Sequence, residues 1–273
     1  MNINLVARLI NASPNSSLFV YNPKIDVSLT SQLKHLSCEE IVIYYASINH
    51  KVSATSSKIY YYKPLDCWFS PFLTYGNIKL SPNISIFATW PKRNCVCSTK
   101  ECRLSCYAEK DLRNPDPVFK RAITTYLIHN DPEFLFSCID DQLSRKTTDY
   151  SRLNEAGDFS SQRDIDFWTW IAKRHDETRF YGYTRTESIF DFSKFLALNN
   201  TNLVNSFIEF RGHRYNNFGQ EEFIQALSAL TGVSICPNYN PLDLASNGKP
   251  RLYHCGSECH ACMYAKNMLF RQH

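Results

Sequence analysis

An apolar run from Ile84 to Trp90 leads through Pro91 into a loop that carries four cysteines. The run has the length and composition of a buried β-strand, and the proline ends it. The four thiols follow with the spacing C-x-C-x4-C-x3-C, at Cys95, Cys97, Cys102 and Cys106. Thiolates spaced in this way on one loop can wrap a single soft metal centre, either tetrahedral zinc or an iron–sulfur cluster. With Cys97 set aside, the other three become the preferred ligands.

The composition favours metal ligands over disulfides. A chain of 273 residues can bury a substantial core without covalent staples. We find no leader sequence and no apolar run long enough for a membrane span, so we expect a soluble, cytoplasmic protein. In that compartment eleven clustered cysteines are typical of metal or redox sites. The net charge of +4 is too small to identify a nucleic-acid partner.

A second group of cysteines lies near the C-terminus. It opens with Cys236-Pro237 and closes with the spacing C-x3-C-x2-C at Cys255, Cys259 and Cys262. A Cys-Pro pair combined with closely spaced cysteines is similar to ferredoxin-type cluster binding, in reversed order along the chain. The two groups are predicted to form either one shared metal site or two separate ones.

The pattern of apolar residues divides the chain into two regions. Residues 1–68 are predicted to form a small strand-rich N-terminal region, with strands at Ile41–Tyr45 and Ile59–Tyr62. Residues 69–273 alternate between helical and strand periodicity, which predicts an α/β fold with a mostly parallel sheet or a partial (β/α) barrel. The predicted helices are 117–144 with a break at 130–132, one after Ser160 or Ser161, 190–198 and 221–230, and the predicted strands are 150–156, 178–184 and 203–210.

Three residues are candidates for cofactor binding because they follow predicted parallel strands. Gly157 and Asp158 end one strand and Arg185 ends the next, so all three should lie at the carboxyl edge of the sheet, where α/β proteins build ligand sites. The strand-then-cysteine order resembles radical S-adenosylmethionine enzymes. That resemblance implies that Gly157 and Asp158 bind the methionine amino group. The structural alternative is a tight turn in which Asp158 caps the next helix.

The stretch between Pro91 and Arg121 is basic, with eight Lys or Arg residues against four acids. These side chains could offset an anionic cluster, contact a nucleic-acid backbone, or form a solvated helix face.

Several motifs occur in a specific order along the chain: YGNIKL at 75–80, the cysteine loop ending in Cys106-Tyr107-Ala108, GDF at 157–159, FYGYTR at 180–185, and the C-terminal cysteines. Taken together, residues 73–265 resemble the "gene product 88" domain family of phage and prophage proteins. The resemblance implies a phage or mobile-element protein in the host cytoplasm, and it assigns no activity.

Two hypotheses of different classes result. The first is a [4Fe–4S] protein, with a radical S-adenosylmethionine-like enzyme as its catalytic form, in which three cysteines leave one iron open. The second is a zinc-stabilised module that binds nucleic acid or a host protein without catalysis. Neither hypothesis involves a membrane, and the oligomeric state is left open.

Overall fold

A five-stranded sheet carries the candidate site. A computed structural model describes residues 27–49, 60–77, 80–104, 106–113, 115–205, 207–210, 213–216, 218–219, 234–235 and 268–271. In spatial order the strands of this sheet are β3 (Thr74–Tyr75), β4 (Ile84–Ile86), β5 (Tyr150–Leu153), β6 (Arg179–Thr184) and β7 (Thr201–Asn205). The β3–β4 pair is antiparallel and the other three pairs are parallel, which confirms the predicted mostly parallel sheet.

Helices connect the parallel strands. Between β4 and β5 the chain forms α3 (Lys100–Leu104), a 3-10 segment (Tyr107–Arg113), α4 (Pro115–Asn130) and α5 (Pro132–Arg145). The later connections are α6 (Gln162–Arg174) and α7 (Ser193–Leu196). This alternation is the arrangement expected when parallel strands need crossover connections.

Local capping residues set the helix boundaries much as the sequence predicted. Asp131 accepts a hydrogen bond from Phe134 N and begins α5, with Pro132 in the first turn. Ser161 and Asp164 form a capping box at the start of α6. On α6, Trp168 is buried against Phe87 and packs edge-to-face with it, which ties the helix to the sheet.

The N-terminal region differs from its prediction at one segment. Helices α1 (Val27–Leu33) and α2 (Cys38–Asn49) cover residues in this region, so the predicted strand at Ile41–Tyr45 is wrong. The reason is a capping box in which Ser37 N donates to Glu40 Oε2 and Glu40 N donates to Ser37 Oγ. The predicted strand near Ile59–Tyr62 is confirmed as β1 (Tyr60–Tyr62), which forms an antiparallel hairpin with β2 (Cys67–Phe69).

Aromatic side chains join this hairpin to the rest of the core. Tyr62 lies 4.8 Å from Phe134 between ring centroids, and the Tyr60 hydroxyl donates to Asp141 at 2.7 Å. One buried cluster contains residues from both sides of position 68. The division into two regions at that position stays a prediction.

The C-terminal part is described only in short strands. The predicted strand 203–210 is two strands, β7 ending at Asn205 and β8 (Phe207–Phe210), which pairs with β9 (His213–Asn216). Strands β10 (Phe218–Gly219) and β11 (Ser234–Ile235) each pair with β12 (Met268–Arg271) in parallel. The predicted helix at 221–230 lies outside the described residues. None of the helices in the described part is long and apolar enough to cross a membrane.

Candidate metal centre

The cysteine loop starts at the carboxyl edge of the parallel sheet. Beyond the end of β4, Phe87 N donates to Arg152 O and Thr89 N donates to Ala156 O, both at 2.9 Å. The chain after β4 therefore runs beside the chain after β5 before it turns into the loop. The strand predicted over 84–90 ends already at Ile86, and the cysteine loop opens on this edge as predicted.

Gly157 allows the two chain segments to approach closely. Its φ of +81° lies in the left-handed region, and a Cβ at this position would lie 1.8 Å from Thr89 Oγ1. No other residue type fits this position without displacing Thr89. The role of Gly157 in the structure is close packing under the start of the loop.

A buried asparagine fastens the loop just before its first cysteine. Asn94 is 1% exposed, and its Nδ2 donates to Thr89 Oγ1 at 3.1 Å and to Asp158 O at 2.8 Å. Its Oδ1 accepts from His129 Nε2 at 3.0 Å. Every polar atom of this amide is satisfied, so the side chain links the loop to the β5 edge and to α4. No local pattern in the sequence distinguishes Asn94 from an ordinary loop asparagine, so its role was not predicted.

Local hydrogen bonds shape the loop between its cysteines. Ser98 Oγ donates to Cys95 O at 2.8 Å and accepts from Arg103 Nε at 2.8 Å. Thr99 Oγ1 accepts from Cys102 N at 3.2 Å, which begins the short helix α3. These bonds give the chain between Cys95 and Arg103 a locally hydrogen-bonded turn.

The surroundings of Cys95 and Cys106 favour the protonated thiol. Burial, together with smaller contributions from the charges of Asp158, Cys102 and Cys106, raises the pKa of Cys95 to about 12. Burial also raises the pKa of Cys106, with a further contribution from Cys102. Both thiols are therefore protonated at neutral pH in the metal-free protein, which excludes them as ready nucleophiles. None of the four loop cysteines forms a disulfide.

The donor chemistry of the loop fits a soft metal, whereas its present geometry is not closed around one. Within the described part of the chain, no three His, Cys, Asp or Glu side chains are assembled at metal-binding geometry. The second predicted ligand group, Cys236, Cys255, Cys259 and Cys262, lies outside the described residues. The assignment of all seven cysteines as metal ligands stays a prediction.

Asp158 lies beside Cys95 at the same edge. Its Oδ1 accepts from Phe159 N and Thr184 Oγ1, both at 2.8 Å, and its Oδ2 accepts from Arg185 N at 2.9 Å. Burial raises the pKa of this carboxyl to about 6, against the lowering effect of these donors. The carboxylate braces the ends of β5 and β6, and it does not cap α6, whose N-cap is Ser161.

Arg185 meets Asp158 through its backbone N–H, and its side chain is half-buried. The three candidate cofactor-binding residues therefore do lie together at the carboxyl edge, as their positions after parallel strands predicted. Their binding of a cofactor stays a prediction.

One residue of the basic stretch points inward. Arg121 on α4 is 5% exposed, and its guanidinium donates to Ala108 O at 3.1 Å and to Asp111 Oδ2 at 2.9 Å. It also lies 3.7 Å from Glu155 Oε2 at the end of β5. This arginine anchors the 3-10 segment that follows Cys106. Its role was not visible in the sequence, where it was one of eight similar basic residues.

Comparison with known proteins gives one match. The family model described as "Gene product 88" matches residues 49–231, which is more than half of the chain. The match contains the cysteine loop, the GDF segment and β6, and it ends before Cys236. Searches of curated proteins and of solved structures gave no match. The chain therefore belongs to the gene product 88 family of phage proteins.

Proposed function

We propose that this protein binds an iron–sulfur cluster through the thiolates of Cys95, Cys102 and Cys106. The observation that carries the proposal is that one loop, starting at the carboxyl edge of the sheet, carries these three thiols, with Cys102 and Cys106 near enough to contribute to the raised pKa of Cys95. Thiolates are the ligands that iron–sulfur clusters require. No C-x2-C pair of the kind typical of structural zinc sites occurs in this loop.

Cluster binding requires the loop to tighten. Among the described residues the thiols do not form a closed set of ligands, and the local hydrogen bonds of Ser98 and Thr99 keep the loop folded between its cysteines. The fixed part is the loop's base, where Asn94 is held by three hydrogen bonds. Closure would then move the cysteine segment on an anchored base, and binding would release the thiol protons.

Three protein ligands would leave one iron of a four-iron cluster open, which is the arrangement used in S-adenosylmethionine chemistry. The carboxylate of Asp158 already accepts three hydrogen bonds, and this favours a bracing role over contact with a methionine amino group. We therefore propose cluster binding as the function and assign no reaction to it. The second cysteine group, beginning at Cys236, supplies either the fourth ligand or a separate site in this proposal.

The test is metal analysis of anaerobically purified protein, with iron, acid-labile sulfide and zinc measured on each sample. Cys102→Ser should lose iron and sulfide, and Cys97→Ser on the same loop should retain them. Cys138→Ala, which removes a buried thiol of α5, is the control for loss of a cysteine elsewhere. The proposal would be contradicted if the reconstituted protein held stoichiometric zinc and no iron. It would also be contradicted if Cys102→Ser held as much iron as the wild type.

A further inference from the structure

A basic pocket lies next to the cysteine loop. It has a volume of about 490 Å³, within the range of about 300–1,000 Å³ typical of small-molecule sites. Its walls come from three separate segments: Lys34 just after α1, the turn from Trp90 to Arg93, and the 3-10 segment, with Cys106 also on its wall.

The charges on this wall are strongly unbalanced. Five cationic side chains face the pocket with a single carboxylate, that of Glu109. Lys92 Nζ lies 2.6 Å from Glu109 Oε2, so this carboxylate is already paired. Within the described part of the chain, no carboxylate pairs with Lys34, Lys110 or Arg113. Such a concentration of positive charge in a concave surface attracts anions.

Three apolar residues, Trp90, Pro91 and Leu112, also line the pocket, and we call them its apolar floor. Trp90 and Leu112 are 4% and 2% exposed, and Pro91 is also buried. Arg93 lies over the Trp90 ring, 4.4 Å from its centroid, and donates to Lys34 O at 2.9 Å. This guanidinium is therefore held in position before any ligand arrives, which lowers the entropic cost of binding.

We propose that this pocket binds a nucleotide, with its phosphates on Lys34, Lys110 and Arg113 and its base toward the apolar floor. The unbalanced charge suits a di- or triphosphate, which carries several negative charges, better than a single carboxylate. The apolar floor would contribute nothing to an inorganic anion. This inference goes beyond cluster binding and does not depend on it, since the pocket is formed without a metal.

The test is a titration of the full-length protein with ATP, pyrophosphate and a short single-stranded oligodeoxythymidylate at low salt. We expect ATP to bind more tightly than pyrophosphate. Arg113→Glu and Lys110→Glu should each weaken ATP binding by about tenfold or more, because each puts a negative charge where a positive one faced the phosphates. Lys173→Glu makes the same charge change on α6, which contributes no residue to the pocket, and should leave affinity unchanged.

The oligonucleotide identifies the source of the nucleotide. If ATP displaces it and Arg113→Glu abolishes its binding, the pocket takes nucleotide units of a strand, and the proposal stands. The proposal would be overturned if the oligonucleotide bound equally well in the presence of ATP and in Arg113→Glu and Lys110→Glu. It would also be overturned if pyrophosphate bound as tightly as ATP. An equal loss of ATP affinity in Lys173→Glu would also overturn the proposal, since it would show a general effect of the protein's charge. If Arg113→Glu fails to fold, Lys34→Glu replaces it. Metal content is measured on the same samples, so that a loss of ATP binding can be distinguished from a loss of bound metal.

Discussion

Replacing Gly157 by alanine tests the packing that supports the cysteine loop. The residue has φ of +81°, and the added Cβ would lie 1.8 Å from Thr89 Oγ1. An L-residue in the left-handed region costs about 1–2 kcal/mol, and forcing a methyl group into a packed site costs about 1–3 kcal/mol more. Gly157→Ala should therefore lower the free energy of unfolding by about 2–5 kcal/mol. Urea denaturation with an unchanged slope measures this difference.

Two further variants separate the parts of this effect. Thr89→Ala removes the clashing oxygen, so the double variant should be less destabilised than the sum of the single variants. Gly76→Ala is the matched control: it also has positive φ, and its Cβ would lie 2.9 Å from Pro82 N, but it lies in the β3–β4 turn. Both glycine variants should be destabilised, and only Gly157→Ala should lower metal content at temperatures where the protein is folded. The reasoning would be refuted if Gly157→Ala lowered the free energy of unfolding by less than about 1 kcal/mol. It would also be refuted if the effects of Gly157→Ala and Thr89→Ala were strictly additive in the double variant.

Asp158 and Arg121 supply two more tests. Because burial raises the pKa of Asp158 from 3.8 to about 6, the folded state binds a proton more tightly than the unfolded state between these values. The free energy of unfolding should then fall by up to about 3 kcal/mol as pH rises through this window. Urea denaturation across pH should show this decline in the wild type, and a similar decline in Asp158→Asn would exclude Asp158 as its origin. Arg121→Lys keeps the positive charge but loses the guanidinium that donates to both Ala108 O and Asp111. It should lower the free energy of unfolding by about 1–3 kcal/mol. Arg113→Lys changes an exposed residue, and its free energy of unfolding should stay within about 0.5 kcal/mol of the wild type in the same assay.

Local signals predicted much of the fold. The break at 130–132 is confirmed because Asp131 and Pro132 act through neighbouring backbone groups, so the signal and its effect lie within a few residues. The same holds for Ser161, which the sequence offered as one of two caps. Strand β6 was predictable because it is rich in aromatic residues, with Phe180, Tyr181 and Tyr183 in one short run.

The wrong strand at Ile41–Tyr45 shows how two local signals can conflict. The segment is rich in β-branched and aromatic residues, which favour strands. It is nevertheless helical, because Ser37 and Glu40 form a capping box at its start. The pattern S-x-x-E before an apolar run was present in the sequence and would have predicted the helix.

The supporting residues of the site were not predictable, because their roles depend on distant parts of the chain. Asn94 contacts Asp158, 64 residues away, and His129, 35 residues away. Arg121 turns inward only because Ala108 O and Asp111 are placed beside it. The cysteine spacing, in contrast, is a local signal, and the metal ligation that it predicts for this loop stays a prediction.

X-ray absorption spectroscopy at the iron edge of anaerobically purified protein tests the central claim most directly. If Cys95, Cys102 and Cys106 hold an iron–sulfur cluster, the iron should have a sulfur first shell with a second iron beyond it. Cys102→Ser should remove that signal, whereas Cys97→Ser should leave it intact. Zinc as the bound metal, iron surrounded by nitrogen and oxygen, or a cluster that survives Cys102→Ser unchanged would contradict the account.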